Sequence, residues 1–169
     1  MSASAVVAAL SDTLERSQLS HTLQATAWVV PTVQTVHILS VATVISSALF
    51  VSLRLFGISG KDLSTSQVAL RFLPQIWWTL PVLFVSGSLL IIAEPARSLQ
   101  NPAFWLKMSL LVAASVLTAV YQWPLHHRGE FWDCTGSRAA IAKLLAGLTL
   151  GLWIGVILAG RWIAYVGNL

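Results

Sequence analysis

The sequence predicts an all-α fold, a transmembrane four-helix bundle with a short N-terminal interfacial helix. Four apolar stretches, at about residues 28–56, 67–93, 103–123 and 139–165, are long enough to cross a bilayer, which takes about 20 residues. Only ten Lys and Arg and six Asp and Glu occur among the 169 residues. A backbone in lipid must satisfy its own hydrogen bonds, and these runs lack the alternation of barrel strands. The spans are therefore predicted to be helices.

Short loops limit the number of domains. The predicted spans are separated by only about ten to twenty residues, which is too few for a separate soluble domain. Residues 1–169 are thus predicted to form a single integral membrane domain. The surrounding lipid bilayer is its first expected partner.

The segment before the first span has a helical pattern of its own. Within residues 3–18, apolar side chains recur at helical spacing, and polar side chains occupy the opposite side. Such a segment is typical of a helix that lies on the membrane surface. An arm that docks against the bundle would show the same pattern.

The starts of the later spans carry capping signals. Ser64 and Gln67 have the spacing of a capping box before the second span. Asn101 followed by Pro102 supplies an N-cap and a proline at the first helical position of the third span. Ser137 is placed to cap the fourth.

The distribution of basic residues predicts the topology. Four spans place both termini and the loop at residues 94–101 on one side, which we call face A, and the other two loops on face B. Face A carries four Lys and Arg residues and face B carries six. The positive-inside rule then favours a cytoplasmic face B, so both termini are expected to be periplasmic or extracellular. Because the basic residues flank the spans, no nucleic acid partner is predicted.

His37 is the ionisable residue that lies well inside a predicted span. Counted from Trp28, it lies roughly 13 Å below face A, where an ionisable side chain usually has a function. Small residues occur at similar depth, including Gly87 in the second span and Gly155 in the fourth. We expect His37 to point towards these two glycines. The space can hold a flat cofactor, or it can serve close helix packing with a structural hydrogen bond to the histidine.

Three charged residues are expected at the face A end of the same region. Glu94 ends the second span, Lys107 lies one turn into the third, and Arg161 lies near the end of the fourth. In a partly desolvated setting these charges are predicted to pair with one another or with an anionic ligand. Arg and Lys suit carboxylates such as haem propionates. Snorkelling of the charged groups to the interface is the alternative.

The sequence offers no other recognisable chemistry. His126 and His127 near face B match no zinc or copper signature and lie far along the bundle from His37. The chain also contains no CxxC, H-E-x-x-H or glycine-rich phosphate motif, and its single cysteine is Cys134.

Several strings in the chain resemble known families. Residues 93–95, residues 101–104 followed by Lys107, and residues 160–165, with a histidine in the first span, resemble a family of small bacterial four-helix membrane proteins of unknown function. More distantly, His37, Gly87 and Lys107 resemble the histidine, glycine and lysine positions of the J-type protoporphyrinogen oxidase family. The membrane domain of copper-resistance D proteins has a similar pattern. The oxidase family has a further histidine in the third span, where this chain has Ala119 and Tyr121.

The resemblance implies a haem-binding four-helix protein of the bacterial inner membrane, with His37 as a candidate ligand and Lys107 near the active site. The leading hypothesis is a b-type haem near the periplasmic face, used for electron transfer or for porphyrin- or quinone-linked redox chemistry. Its metal ligand would be His37, and the iron would be five-coordinate or would have Met108 as its second ligand. The other cofactor-binding candidates are Gly87, Glu94, Lys107, Gly155 and Arg161, with Arg97 as a further contact to propionate.

Two other hypotheses remain open. The first is a non-catalytic accessory subunit that packs against a membrane partner, or against another copy of itself, through Gly147, Gly151 and Gly155 of the fourth span. The second is a transporter for copper or a small solute, which requires a polar path across the membrane.

Overall fold

The computed structural model describes residues 3–58, 64–127 and 137–166, and these form seven helices and no strand. The helices, in chain order, are α1 Ala3–Glu15, α2 Gln18–Ala25, α3 Val29–Leu55, α4 Thr65–Ala93, α5 Pro95–Leu99, α6 Pro102–His127 and α7 Ser137–Val166. The all-α prediction is confirmed.

Four of these helices are long and apolar enough to cross a membrane. The qualifying segments are Val29–Leu55, Thr65–Ala93, Pro102–Val120 and Ala139–Ile163. Many large apolar side chains on them are exposed, including Phe84 at 76% and Leu144 at 64%. Exposed apolar surface of this extent suits lipid as the solvent. The protein is a multi-pass membrane protein with four spans, as the hydropathy of its sequence predicts.

The chain divides into two compact units, and each long helix contributes a segment to both. The first unit is formed by described residues within 1–41, 80–108 and 157–169, and the second by those within 42–79 and 109–156. The first unit thus contains both terminal segments and α5, which agrees with the grouping predicted for face A. The prediction of a single domain stays a prediction.

The N-terminal segment forms two helices where one was expected. The break falls between α1 and α2, where Ser17 is the N-cap and its Oγ accepts a hydrogen bond from the Ser20 amide at 3.2 Å. The segment is tied to the first unit, because Gln24 donates to the Ala93 carbonyl at 2.7 Å and Gln100 donates to Ser11 Oγ at 2.9 Å. Helix α1 also packs against α5. These contacts favour the docking arm, while its position on a membrane surface stays a prediction.

The capping box before α4 is confirmed. The Ser64 amide donates to Gln67 Oε1 at 3.0 Å, and the Gln67 amide donates to Ser64 Oγ at 3.1 Å. At the start of α6, Asn101 Oδ1 accepts a hydrogen bond from the Ala103 amide at 2.9 Å, as the Asn-Pro sequence predicts. The side chain of Ser137 lies outside the described residues, so its capping role stays a prediction.

Ser64→Ala is expected to lower the free energy of unfolding by about 1 kcal/mol, because α4 loses a side-chain cap. Ser64→Thr keeps a hydroxyl acceptor and serves as the control. Thermal unfolding of the two variants in detergent measures the difference, and equal melting temperatures would contradict the prediction.

The second unit has a buried polar contact between two of its helical segments. Trp153, only 3% exposed, donates from Nε1 to Thr118 Oγ1 at 3.4 Å. Thr118 in turn donates to the Ala114 carbonyl at 2.7 Å, so both polar groups are satisfied. Trp153 is therefore a packing residue of this unit.

Candidate functional site

The site is centred on His37, which is partly buried on α3 in the first unit. Its Nδ1 lies 2.9 Å from Oγ of Ser86 on α4. Ser86 is 4% exposed, and its hydroxyl donates to the Val82 carbonyl at 2.7 Å. A serine hydroxyl has one hydrogen, so this donation leaves its oxygen as an acceptor for His37 Nδ1–H. The hydrogen-bond network therefore favours the tautomer in which Nε2 carries the free lone pair.

Gly87 provides the space beside the imidazole. A Cβ atom at this position would lie 3.5 Å from His37 Cε1 and 4.0 Å from Nδ1. The ring thus lies against α4 through its Nδ1 and Cε1 atoms. In the part of the chain that is described, Nε2 makes no hydrogen bond. The predicted contact between His37 and Gly87 is present, and it does not involve Nε2.

Lys107 of α6 also belongs to the first unit, where its side chain lies along Gly160 of α7. A Cβ at position 160 would lie 3.6 Å from Lys107 Cδ and Cε and 3.7 Å from Nζ. No hydrogen bond or ion pair to Lys107 occurs within residues 3–58, 64–127 and 137–166. An ammonium that is only partly exposed and lacks a counter-charge is costly, so this group is suited to bind an anion.

The other two members of the predicted charge cluster have partners on their own segments. Glu94 forms an ion pair with Arg97 at 2.8 Å, in which both side chains are about half exposed. Arg161 donates to Tyr165 Oη at 3.2 Å and lies over the tyrosine ring, with Cζ 5.5 Å from its centroid. Among the described residues, no ion pair joins Glu94 to Lys107 or Arg161. Neighbours one turn away can reach these groups at little cost in chain entropy, so the predicted three-way pairing is not formed.

Gly155 belongs to the second unit, where its neighbour is Leu110. A Cβ at position 155 would lie 3.3 Å from Leu110 Cδ1, which is tighter than ordinary contact. The structure thus gives Gly155 a role in close helix packing, and its contact with a cofactor stays a prediction. Gly147 likewise packs against Phe56, which would lie 3.6 Å from an added Cβ, whereas a Cβ at Gly151 would meet no atom within 4 Å.

Sequence reasoning missed two features of the site. In the sequence Ser86 stands out only as a small residue. Its hydroxyl, on the residue before Gly87, was a signal from which a hydrogen-bond partner of His37 could have been predicted. Gly160 stands out only within a string that resembles a family, and its support of Lys107 depends on the packing of α6 against α7.

Gln34, one turn before His37, is exposed and has no hydrogen-bond partner among the described residues.

No three His, Cys, Asp or Glu residues cluster in the described part of the chain. His21 is exposed on α2. The side chains of His126 and His127, and residues 128–136 with Cys134, lie outside the described residues.

Comparison with known proteins places the chain in a family without assigning it an activity. No curated protein and no solved structure matches it. The distant resemblance to the J-type protoporphyrinogen oxidase and copper-resistance D families stays a prediction. A family model described as "Family of unknown function (DUF6644)" matches residues 14–166, which include all four spans and the residues around His37. The chain therefore belongs to the DUF6644 family.

Proposed function

We propose that the protein is a membrane redox protein that binds a b-type haem through His37 and transfers electrons. The observation that carries this proposal is the hydrogen-bond chain from His37 Nδ1 through Ser86 Oγ to the Val82 carbonyl. Histidines that bind a metal usually donate the other ring N–H to a fixed acceptor, which holds the tautomer and the ring orientation. Ser86 is such an acceptor for His37. The pair lies inside a span, where a histidine is costly unless it has a function.

A porphyrin suits this site better than a bare metal ion. A bare ion needs several protein ligands, and no such cluster occurs among the described residues. Haem brings four nitrogen ligands of its own, so one histidine is sufficient to hold it. Its propionates require cations near the membrane surface, and Lys107 is a cation without a partner in the described part of the protein. The residues present therefore fit a haem, of which they would bind the proximal side.

The bound haem would supply a one-electron couple between ferric and ferrous iron. The residues of the chain would bind and orient it. Ser86 would hold the His37 ring, Gly87 would leave space for that ring beside α4, and the Lys107 ammonium would bind a propionate. Arg97 and Arg161 have donors beyond those they use in their present pairs, so they are further candidates for propionate contact. A quinone is the proposed class of electron partner, since it dissolves in the same bilayer.

The proposal predicts a haem spectrum that depends on His37. Wild-type protein, expressed with haem supply and purified in detergent, is expected to show a Soret band that shifts on reduction. His37→Ala should lose most of this absorbance, because the iron loses its protein ligand. The pyridine haemochrome spectrum identifies the haem as b-type and gives its amount per chain.

His21→Ala is the matched control, because His21 is an exposed histidine of α2. It should retain the wild-type spectrum. Circular dichroism and gel filtration check that His37→Ala still folds. A wild-type protein without haem, or a folded His37→Ala that binds haem equally well, would refute the proposal.

The accessory-subunit hypothesis is supported by a different observation. Gly151 is exposed and faces open space, and the exposed side chains of Leu144, Leu148 and Leu158 lie on the same helix. A smooth apolar surface of this kind suits close packing against another membrane helix. If this function is correct in place of haem binding, purified protein should lack a Soret band and Gly151→Leu should release a co-purifying membrane protein.

A further inference from the structure

The N-terminal arm, formed by α1 and α2, buries polar side chains and exposes apolar ones. Ser11 of α1 and Ser20 of α2 are both 0% exposed. In contrast, Val6 and Leu10 of α1 are 50% and 51% exposed, and Leu19 of α2 is 51% exposed. A helix that docks on a protein in water usually does the reverse, because it turns its apolar stripe towards the core. The reversed burial indicates that the outer surface of the arm contacts an apolar medium.

Hydrogen bonds hold the buried side of the arm to the rest of the first unit. The Gln100 side chain donates to Ser11 Oγ at 2.9 Å. The Gln24 side chain donates to Ser20 Oγ at 3.2 Å and to the Ala93 carbonyl at 2.7 Å. The polar groups on this side therefore have protein partners, so the arm does not need water there.

The exposed surface of each helix has an apolar edge and a polar edge. Leu10 and Asp12 lie two positions apart on α1, which places them about 200° apart around the helix axis. Leu19 and His21 have the same relation on α2, and both Asp12 and His21 are exposed. Val6 lies one turn before Leu10 and thus on the same side. An apolar edge opposite a polar edge is typical of a helix at a membrane surface.

The contacts of the arm place it at the ends of the membrane spans. Helix α1 packs against α5, which connects the end of α4 to the start of α6. Gln24 of α2 binds the carbonyl of Ala93, the last residue of α4. Trp28, between α2 and α3, is 69% exposed, and tryptophan is enriched where the membrane meets water. Lipid is therefore the apolar medium within reach of the arm.

The charge of the arm selects acyl chains over charged headgroups as its contact. Residues 3–25 contain the carboxylates Asp12 and Glu15 and a single basic residue, Arg16. Attraction to anionic lipids requires a cluster of Lys and Arg. Burial of apolar side chains remains as the driving force, and it does not depend on the charge of the lipid.

We propose that the arm lies in the surface of the face A leaflet, with Val6, Leu10 and Leu19 among the lipid acyl chains and with Ser11 and Ser20 against the protein. Its partner is the lipid surface itself. The docking arm and the interfacial helix are then one structure, in which one side binds α5 and the end of α4 and the neighbouring side binds lipid.

The test uses the full chain with Cys134→Ser, reconstituted in phosphatidylcholine vesicles, with a spin label on one introduced cysteine at a time. Leu10→Cys and Leu19→Cys report the apolar edge. Asp12→Cys and His21→Cys are matched controls, because they are exposed positions on the same two helices. Electron paramagnetic resonance measures how often each label collides with oxygen, which concentrates in hydrocarbon, and with a nickel chelate, which stays in water.

The ratio of oxygen to nickel collisions is expected to be severalfold higher at Leu10→Cys and Leu19→Cys than at the two controls. Addition of phosphatidylglycerol to the vesicles should leave this difference unchanged. Gel filtration checks that each labelled variant is folded, and the four positions are exposed, so the labels should not disturb docking.

Three results would overturn the inference. Equal access of the nickel chelate to all four labels would show that the arm lies in water. Low access of both reagents to the labels at Leu10 and Leu19 would show that protein covers the apolar edge, and dipolar broadening between labels would identify that protein as a second copy. A difference that arises only with phosphatidylglycerol would show attraction to headgroups in place of acyl-chain contact.

Discussion

Gly87→Leu is expected to displace the His37 ring, to break its hydrogen bond to Ser86 and to lower the free energy of unfolding by about 1–3 kcal/mol. A Cβ at position 87 already lies 3.5 Å from His37 Cε1, which is ordinary contact. The further carbons of leucine would need the volume that the imidazole occupies. If His37 binds haem, the displaced ring should also reduce the Soret absorbance per chain severalfold.

Two variants serve as controls for this prediction. Gly87→Ala adds only the Cβ and should be tolerated. Gly151→Leu makes the same substitution in a span at a glycine with open space around it, so it should cost little in stability. Thermal unfolding in detergent compares the three proteins. Equal stability and haem content in Gly87→Leu and Gly151→Leu would show that the space beside His37 is not restricted.

Asn101→Ala is expected to lower the free energy of unfolding by about 2–4 kcal/mol, since one side chain makes two different contacts. Asn101 is 6% exposed, and its Oδ1 accepts from the Ala103 amide at the start of α6. Its Nδ2 donates to the Ile163 carbonyl of α7 at 3.1 Å. Loss of a cap costs about 1 kcal/mol, and a buried acceptor without a donor costs about 1–3 kcal/mol.

Asn101→Asp separates the two contributions. Aspartate keeps the capping oxygen but cannot donate to the Ile163 carbonyl, so it should lose most of the second contribution and little of the first. Chemical or thermal unfolding in detergent measures all three proteins. If Asn101→Ala lies within about 0.5 kcal/mol of the wild type, the contact between α6 and α7 contributes little to stability.

Local sequence signals identified several features correctly. Ser64 and Gln67 form their predicted capping box, and Asn101 caps α6, because both interactions join residues within three positions of each other. The N-terminal segment was predicted less well. Its apolar periodicity ends at Leu14, close to the end of α1 at Glu15, and the second helix α2, which Ser17 caps, was not predicted.

The candidate site was predicted in part. The glycine beside His37 followed from counting residues along α3 and α4, while the depth of His37 in the membrane stays a prediction. Its hydrogen bond to Ser86 joins residues 49 positions apart, and only the packing of the two helices defines it. The predicted pairing of the three charges with one another was wrong for a related reason, whereas their pairing with an anionic ligand stays a prediction. Counting placed Glu94, Lys107 and Arg161 at similar depth, but depth does not specify which side of a helix each residue occupies.

The sequence by itself determined that this protein is an all-α membrane protein with four spans. Hydropathy acts on each segment of about 20 residues separately, since lipid requires every span to satisfy its own backbone. Tertiary structure alone decided that Ser86 holds His37 and that Gly160 supports Lys107. These contacts depend on how each helix is rotated about its axis. Side-chain packing and hydrogen bonding set that rotation, and a nearly uniform apolar sequence gives no local signal of it.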